Sequence, residues 1–319
     1  MKNKETYSSG QARTSTPVGP AAPLSDLYAN AAVLIAGVFW GTSCLFVKSM
    51  SALGMNSGMQ AVYKVLIAGL FYVILILITD PAKLVIRPGD IWIFAVSGLF
   101  SMSAFTWLHY YTLIHGQASV SIALIYTAPA FVMLGSTVLF KEKLTGKKLL
   151  ALFLTILGCA FTAGLFSEKY STPPLITGAC ILAGFLYGTY SILAKYATKR
   201  YHPLTMTTYT FLFAILFTIP FGDLPGSVVL MKQHPVLILL CLGKNVICTV
   251  IPYFLYTWGI SRIEAGRAAI YVTLDPLVSC ALGILVLGES ANLSKILGIF
   301  LILSSVILIG RENAAKAAD

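Results

Sequence analysis

The chain has 319 residues, 57% hydrophobic and 11% charged, with a formal charge of +10. An ordinary soluble domain is about 25% charged, so this composition argues against a soluble enzyme, a disordered chain and a collagen-like one. The mean hydropathy of +0.84 makes a bilayer the expected solvent.

In chain order, residues 1–29 are rich in Ser, Thr, Pro and Gly and read as a flexible cytoplasmic tail without a cleavable signal peptide. Ten apolar stretches follow, at 31–49, 57–79, 91–113, 118–140, 147–165, 175–194, 203–221, 235–259, 266–287 and 293–310. Each approaches the roughly 20 residues that a spanning helix needs. The joints, such as 80–90 and 141–146, are short and polar, and residues 311–319 form a second cytoplasmic tail. The runs are solidly apolar rather than alternating, which excludes a barrel. The fold class is therefore all-α integral membrane, with ten transmembrane helices.

Basic residues orient the spans. Sixteen of the 22 fall on one side, including Lys83, Arg87, Lys141, Lys148, Arg200 and Arg262. Lys48, Lys169, Lys232 and Lys295 fall on the other, and Lys64 and Lys244 lie within spans. Both termini are then cytoplasmic, with the loops at 80–90, 141–146, 195–202 and 260–266. The basic excess is accounted for by topology, leaving no support for a nucleic-acid partner. Cys44, Cys159, Cys180, Cys241, Cys248 and Cys280 lie in apolar stretches without metal or disulfide spacing and read as packing residues.

Displacing the sequence by 147 residues lays AGVFWGTSCLFVK (36–48) on AGFLYGTYSILAK (183–195). The same offset pairs Gly37 with Gly184, Gly41 with Gly188, Trp40 with Tyr187, Pro129 with Pro276 and Glu142 with Glu289. Two units of five spans, residues 30–166 and 174–310, are expected. Five is odd, so the second unit starts from the opposite side, and the two are inverted repeats.

Two five-span halves of this kind resemble the EamA-type branch of the drug/metabolite transporter superfamily. The stretches that carry the resemblance are YTAPAFVMLGSTVLFKEKLTGKKLLALFLTILG (126–158) and VTLDPLVSCALGILVLGESANLSKILGIFLIL (272–303), with FWGTSCLFVK (39–48) and LYGTYSILAK (186–195). The resemblance spans roughly residues 30–310 and implies a secondary transporter of a plasma or inner membrane. Its members carry amino acids, sugars, nucleotides and drugs, and export is the direction it implies. One departure is that Lys64 has Phe211, not a basic residue, as its second-half counterpart.

The candidate site rests on charges inside spans, each costing about 2.5–3.5 kcal/mol on insertion scales. Lys64, Lys244 and Asp275 are expected to form a polar patch suited to a carboxylate or zwitterion, with proton coupling through Asp275 left open. The competing reading pairs Lys244 with Asp275 as structural glue and lets Lys64 snorkel outward. Tyr126, Pro129 and Met133 are expected to share one helix face, as are Tyr271 and Asp275 at i, i+4. Trp40, Tyr126, Tyr187, Tyr271 and His109 are the remaining candidate substrate contacts, against plain packing. Tyr190, Tyr253 and Tyr256 also fall inside spans. Pro129 and Pro276 are candidate kinks, and Glu142 and Glu289 candidate helix-end or gating residues. No enzyme signature, cofactor motif or metal-ligand spacing is present. The expected partners are a small-molecule solute and membrane lipid. The alternative function is a channel or a non-transporting membrane receptor.

Overall fold

A computed structural model describes residues 23–115, 124–162, 173–286 and 293–318, and every regular element in them is helical. Seven of the described helices are long and apolar enough to cross a bilayer: Asp26–Ala52, Ser57–Thr79, Pro88–His109, Pro174–Ala197, Pro203–Phe221, Val236–Ile260 and Ala265–Leu285. Ala128–Phe140 and Leu293–Ile309 are shorter apolar helices, and Gly146–Thr162 is a further one. The tail residues 1–22 and Glu289 lie outside the described residues. The last helix runs from Leu293 through Ala318, so the stretch read as a C-terminal tail continues it.

Breaks in the helices follow the sequence. Proline lacks a backbone N–H and disfavours helical geometry in the residue before it. Pro129 and Pro276 each stand at the start of a new helix, Ala128–Phe140 and Leu274–Leu285, after a turn at Tyr126–Thr127 and at Val272–Thr273. Each proline thus follows a two-residue break in its apolar stretch. Pro252 likewise opens Ile251–Ile260, directly after a π-helical segment at Val246–Val250. A second π-helical segment, Ser97–Ala104, occupies the repeat-related place in the first half. There Gly98 lets the chain approach the Pro203–Thr218 helix, since a Cβ on it would stand 2.6 Å from Phe213 Cβ.

Packing between the halves is reciprocal. Pro23–Gly41 packs on Ile251–Ile260 and on Leu274–Leu285. Pro174–Ala197, its repeat-related helix, packs on Phe105–His115 and on Ala128–Phe140. Ser57–Thr79 meets Pro203–Thr218, and Gly146–Thr162 meets Leu293–Ala318. The glycines repeat the pattern at atomic scale. A Cβ on Gly41 would lie 2.7 Å from the Asp275 carbonyl, and one on Gly188 3.3 Å from the Ala128 carbonyl. For Gly37 the nearest carbonyl is that of Val272 at 3.2 Å; for Gly184 that of Ile125 lies at 2.9 Å. Each of these four pairs maps onto its counterpart with the 147-residue offset. Small residues at such crossings let helix backbones touch inside a membrane, where no hydrophobic force drives the helices together.

Candidate functional site

Where the halves meet, a small, partly open cavity is walled by Trp40, Tyr126, Tyr187, Tyr190, Tyr253 and Tyr256, with small residues such as Ala128, Pro129 and Gly188 between the rings. The rings brace one another: Trp40 stands edge-on to Tyr253 at 5.1 Å between centroids, and Tyr190 edge-on to Tyr253 at 5.3 Å. Their hydroxyls are held as well, Tyr190 against Thr257 and Tyr256 against Ser191 at 2.6 Å. Buried polar groups of this kind are satisfied by partners, which fixes the ring orientations.

Two charged residues flank the aromatic wall. Lys64 Nζ sits 5.6 Å from the centre of the Tyr253 ring, within range of a cation–π contact. Asp275, on the next helix beyond the break, lies beside Tyr126 and accepts from Ser279 Oγ at 3.4 Å. Ser279 Oγ also lies 3.0 Å from the Gly41 carbonyl, tying the first span to the Asp275 helix. Both Lys64 and Asp275 are half-buried, and among the described residues neither forms an ion pair.

Of the eight expected substrate contacts, the structure brings Trp40, Tyr126 and Tyr187 to the cavity wall, with Lys64 over the ring of the wall residue Tyr253 and Asp275 beside the wall residue Tyr126. Lys244 is elsewhere. It is buried and donates to Gln60 Oε1 at 3.1 Å, so an uncharged amide, not Asp275, receives it. The helix that carries Tyr271 ends at that residue and the next begins at Leu274, so Tyr271 and Asp275 share no continuous helix face. Tyr126 takes the place beside the carboxylate instead. Tyr126 itself stands in the turn before Ala128, outside the helix of Pro129 and Met133. His109 stacks on Phe105 at 5.6 Å, and Phe105 in turn lies 5.1 Å from Tyr187.

Glu142 caps another chain segment. Its carboxylate accepts from the Ala265 and Gly266 backbone N–H groups at 2.9 and 3.3 Å. Beside it Glu264 pairs with Lys148 at 2.8 Å and Arg267 at 3.5 Å, and Lys195 Nζ donates to the Ile263 carbonyl. Three segments that are distant in sequence, 142–148, the one that carries Lys195 and 263–267, are thus tied together. Gln60, Ser279 and Glu264 are the participants that sequence reading passed over. Gln60, a polar side chain four residues before Lys64 in an apolar span, was the available signal.

Comparison with known proteins gives this geometry a family. The EamA-like transporter family model matches residues 27–164 and again residues 175–311. An "uncharacterized transporter" of Archaeoglobus fulgidus is 26% identical over 286 residues, covering 89% of this chain and 97% of its own. The "uncharacterized inner membrane transporter YicL" of Salmonella typhimurium is 26% identical, covering 89% and 96%. The "uncharacterized transporter YcbK" of Bacillus subtilis is 25% identical, covering 83% and 87%. A solved crystal structure with 15% identity superposes with a TM-score of 0.73 over 88% of this chain and 95% of its own, a likeness of fold.

Proposed function

Because the chain belongs to the EamA-like transporter family, we propose that it is a ten-span secondary carrier that moves a small organic solute by alternating access, in the direction of export. The observation that carries this reading is the aromatic cavity at the junction of two reciprocally packed halves. Inverted halves whose contacts interchange give two forms of similar energy, open to opposite sides. Sixteen basic residues on one side favour cytoplasmic termini in a plasma or inner membrane.

The same cavity favours a zwitterionic solute with an apolar body, such as an amino acid. Asp275 supplies an acceptor for an ammonium and Lys64 a donor for a carboxylate, on either side of the rings. Isolated charges are costly at low dielectric, so a solute bringing both opposite charges lowers that cost. Trp40, Tyr126 and Tyr187 contact its body; Lys244, Tyr271 and His109 act at most through neighbours. Proton binding at Asp275 in the empty carrier would couple transport to a pH gradient. Glu142, bound to the Ala265 and Gly266 N–H groups, would serve as a gate that releases when the halves exchange forms.

The test is counterflow in proteoliposomes with three probes sharing one ring: L-tryptophan, tryptamine and indole-3-propionate. Saturable counterflow strongest for tryptophan is expected. Asp275→Asn should erase the advantage over the carboxylate probe, and Lys64→Gln that over the amine. Non-saturating flux with ionic current would instead identify a channel and overturn the carrier reading.

A further inference from the structure

Away from the cavity, three sulfur atoms converge. Cys241 Sγ lies 3.6 Å from Met50 Sδ and 3.6 Å from Met55 Sδ. All three side chains are at most 2% exposed. The convergence is built by local backbone chemistry. The helix Ser43–Ala52 ends in a turn in which Gly54 adopts φ +90, a conformation that glycine takes without strain. Gly54 N–H donates to Ser51 and Met55 N–H to Met50, at 3.0 and 3.1 Å. This is the Schellman arrangement, which sets the side chains before and after the turn against each other. Here both are methionines. The helix Val236–Asn245 adds Cys241 as the third group, and Lys244, one turn on, is held off on Gln60.

Two thioethers and a thiol form a soft donor set, which selects Cu(I) and its analogue Ag(I) over hard cations. With a metal–sulfur bond of about 2.3 Å, three sulfurs around a trigonal ion stand about 4.0 Å apart, so the two separations from Cys241 would each open by a few tenths of an ångström to admit one. We propose that Met50, Met55 and Cys241 form a binding site for a monovalent soft metal ion. Binding displaces the Cys241 thiol proton to solvent, and the resulting thiolate and M⁺ are together neutral, as a buried site requires. No electron is transferred when the metal arrives as Cu(I) or Ag(I). The way in is the turn itself, since Gly54 and Asn56, the chain neighbours of Met55, are exposed.

The test uses purified full-length protein and Ag(I), which needs no reductant, followed by Cu(I) held by a chromophoric chelator under anaerobic conditions. Five other cysteines are present, so the comparison is between variants. Wild type and Cys159→Ala should take one tight equivalent from the chelator. Cys241→Ala and the double variant Met50→Leu with Met55→Leu should each weaken that equivalent at least tenfold. Leucine conserves the volume of methionine; should the double variant unfold, Met55→Leu alone replaces it. X-ray absorption of the Cu(I) form should show sulfur ligands only. Unchanged affinity in Cys241→Ala overturns the site. So does unchanged affinity in the methionine variants, which would leave binding to a thiol alone.

Discussion

Replacing Gly41 by alanine puts a methyl group 2.5 Å from Val278 Cβ and 2.7 Å from the Asp275 carbonyl oxygen. Carbon atoms pack best at about 3.5–4.0 Å, and neither obstacle is the end of a flexible side chain. The first span and the Asp275 helix must therefore separate by about 1 Å. Overpacking of this kind costs about 1–3 kcal/mol. The separation also pulls Ser279 from the Gly41 carbonyl and moves Asp275 relative to Tyr126, on the wall of the cavity. Displacing a binding group by about 1 Å can lower turnover on the order of a hundredfold. Gly188, the repeat-related position, is roomier: its Cβ would meet Val132 Cγ2 at 3.1 Å and the Ala128 carbonyl at 3.3 Å. Gly188→Ala should therefore lose only a few-fold. Counterflow rates in proteoliposomes, normalised to folded protein by thermal unfolding, measure both. Wild-type turnover in Gly41→Ala, or a larger loss in Gly188→Ala, would refute this account of the close approach.

Three further outcomes are expected. Lys244 is received by Gln60, so the effects of Lys244→Gln and Asp275→Asn on stability should add, with a coupling below about 0.5 kcal/mol in a double-mutant cycle; mutual rescue would mean that the two charges meet. Glu142→Ala leaves the Ala265 and Gly266 N–H groups without their acceptor and should cost about 1–3 kcal/mol in detergent unfolding. Glu142→Gln, which keeps one acceptor oxygen, should cost less, and equal melting of all three proteins would count against the cap. His202 Nδ1 accepts from the Leu204 N–H at the start of the Pro203 helix. Burial, then the cations Lys83 and Arg262, hold its pKa below the ordinary histidine value. The folded state thus binds fewer protons than the unfolded one, so this contribution is complete above about pH 6.5 and declines as the pH falls below it. In His202→Asn that part of the acid sensitivity should disappear between pH 8 and 5, and an identical acid slope in the variant would contradict the assignment.

Composition and periodicity alone pointed to the membrane, the helical class and the two matching stretches, because lipid leaves backbone polar groups few arrangements other than helices. The 147-residue offset could be read from Gly37, Gly41, Pro129 and their partners, since close approach and helix starts demand particular residue types wherever they occur. The neighbours of the buried charges could not be read this way. Spacing tells which residues share a face only along an unbroken helix, and the turn at Val272–Thr273 breaks the one that would have joined Tyr271 to Asp275. Lys244 offered no better guide, as its partner, Gln60, lies 184 positions away. Which side chain meets a buried charge is decided by how helices from the two halves cross, and that crossing exists only in the folded chain.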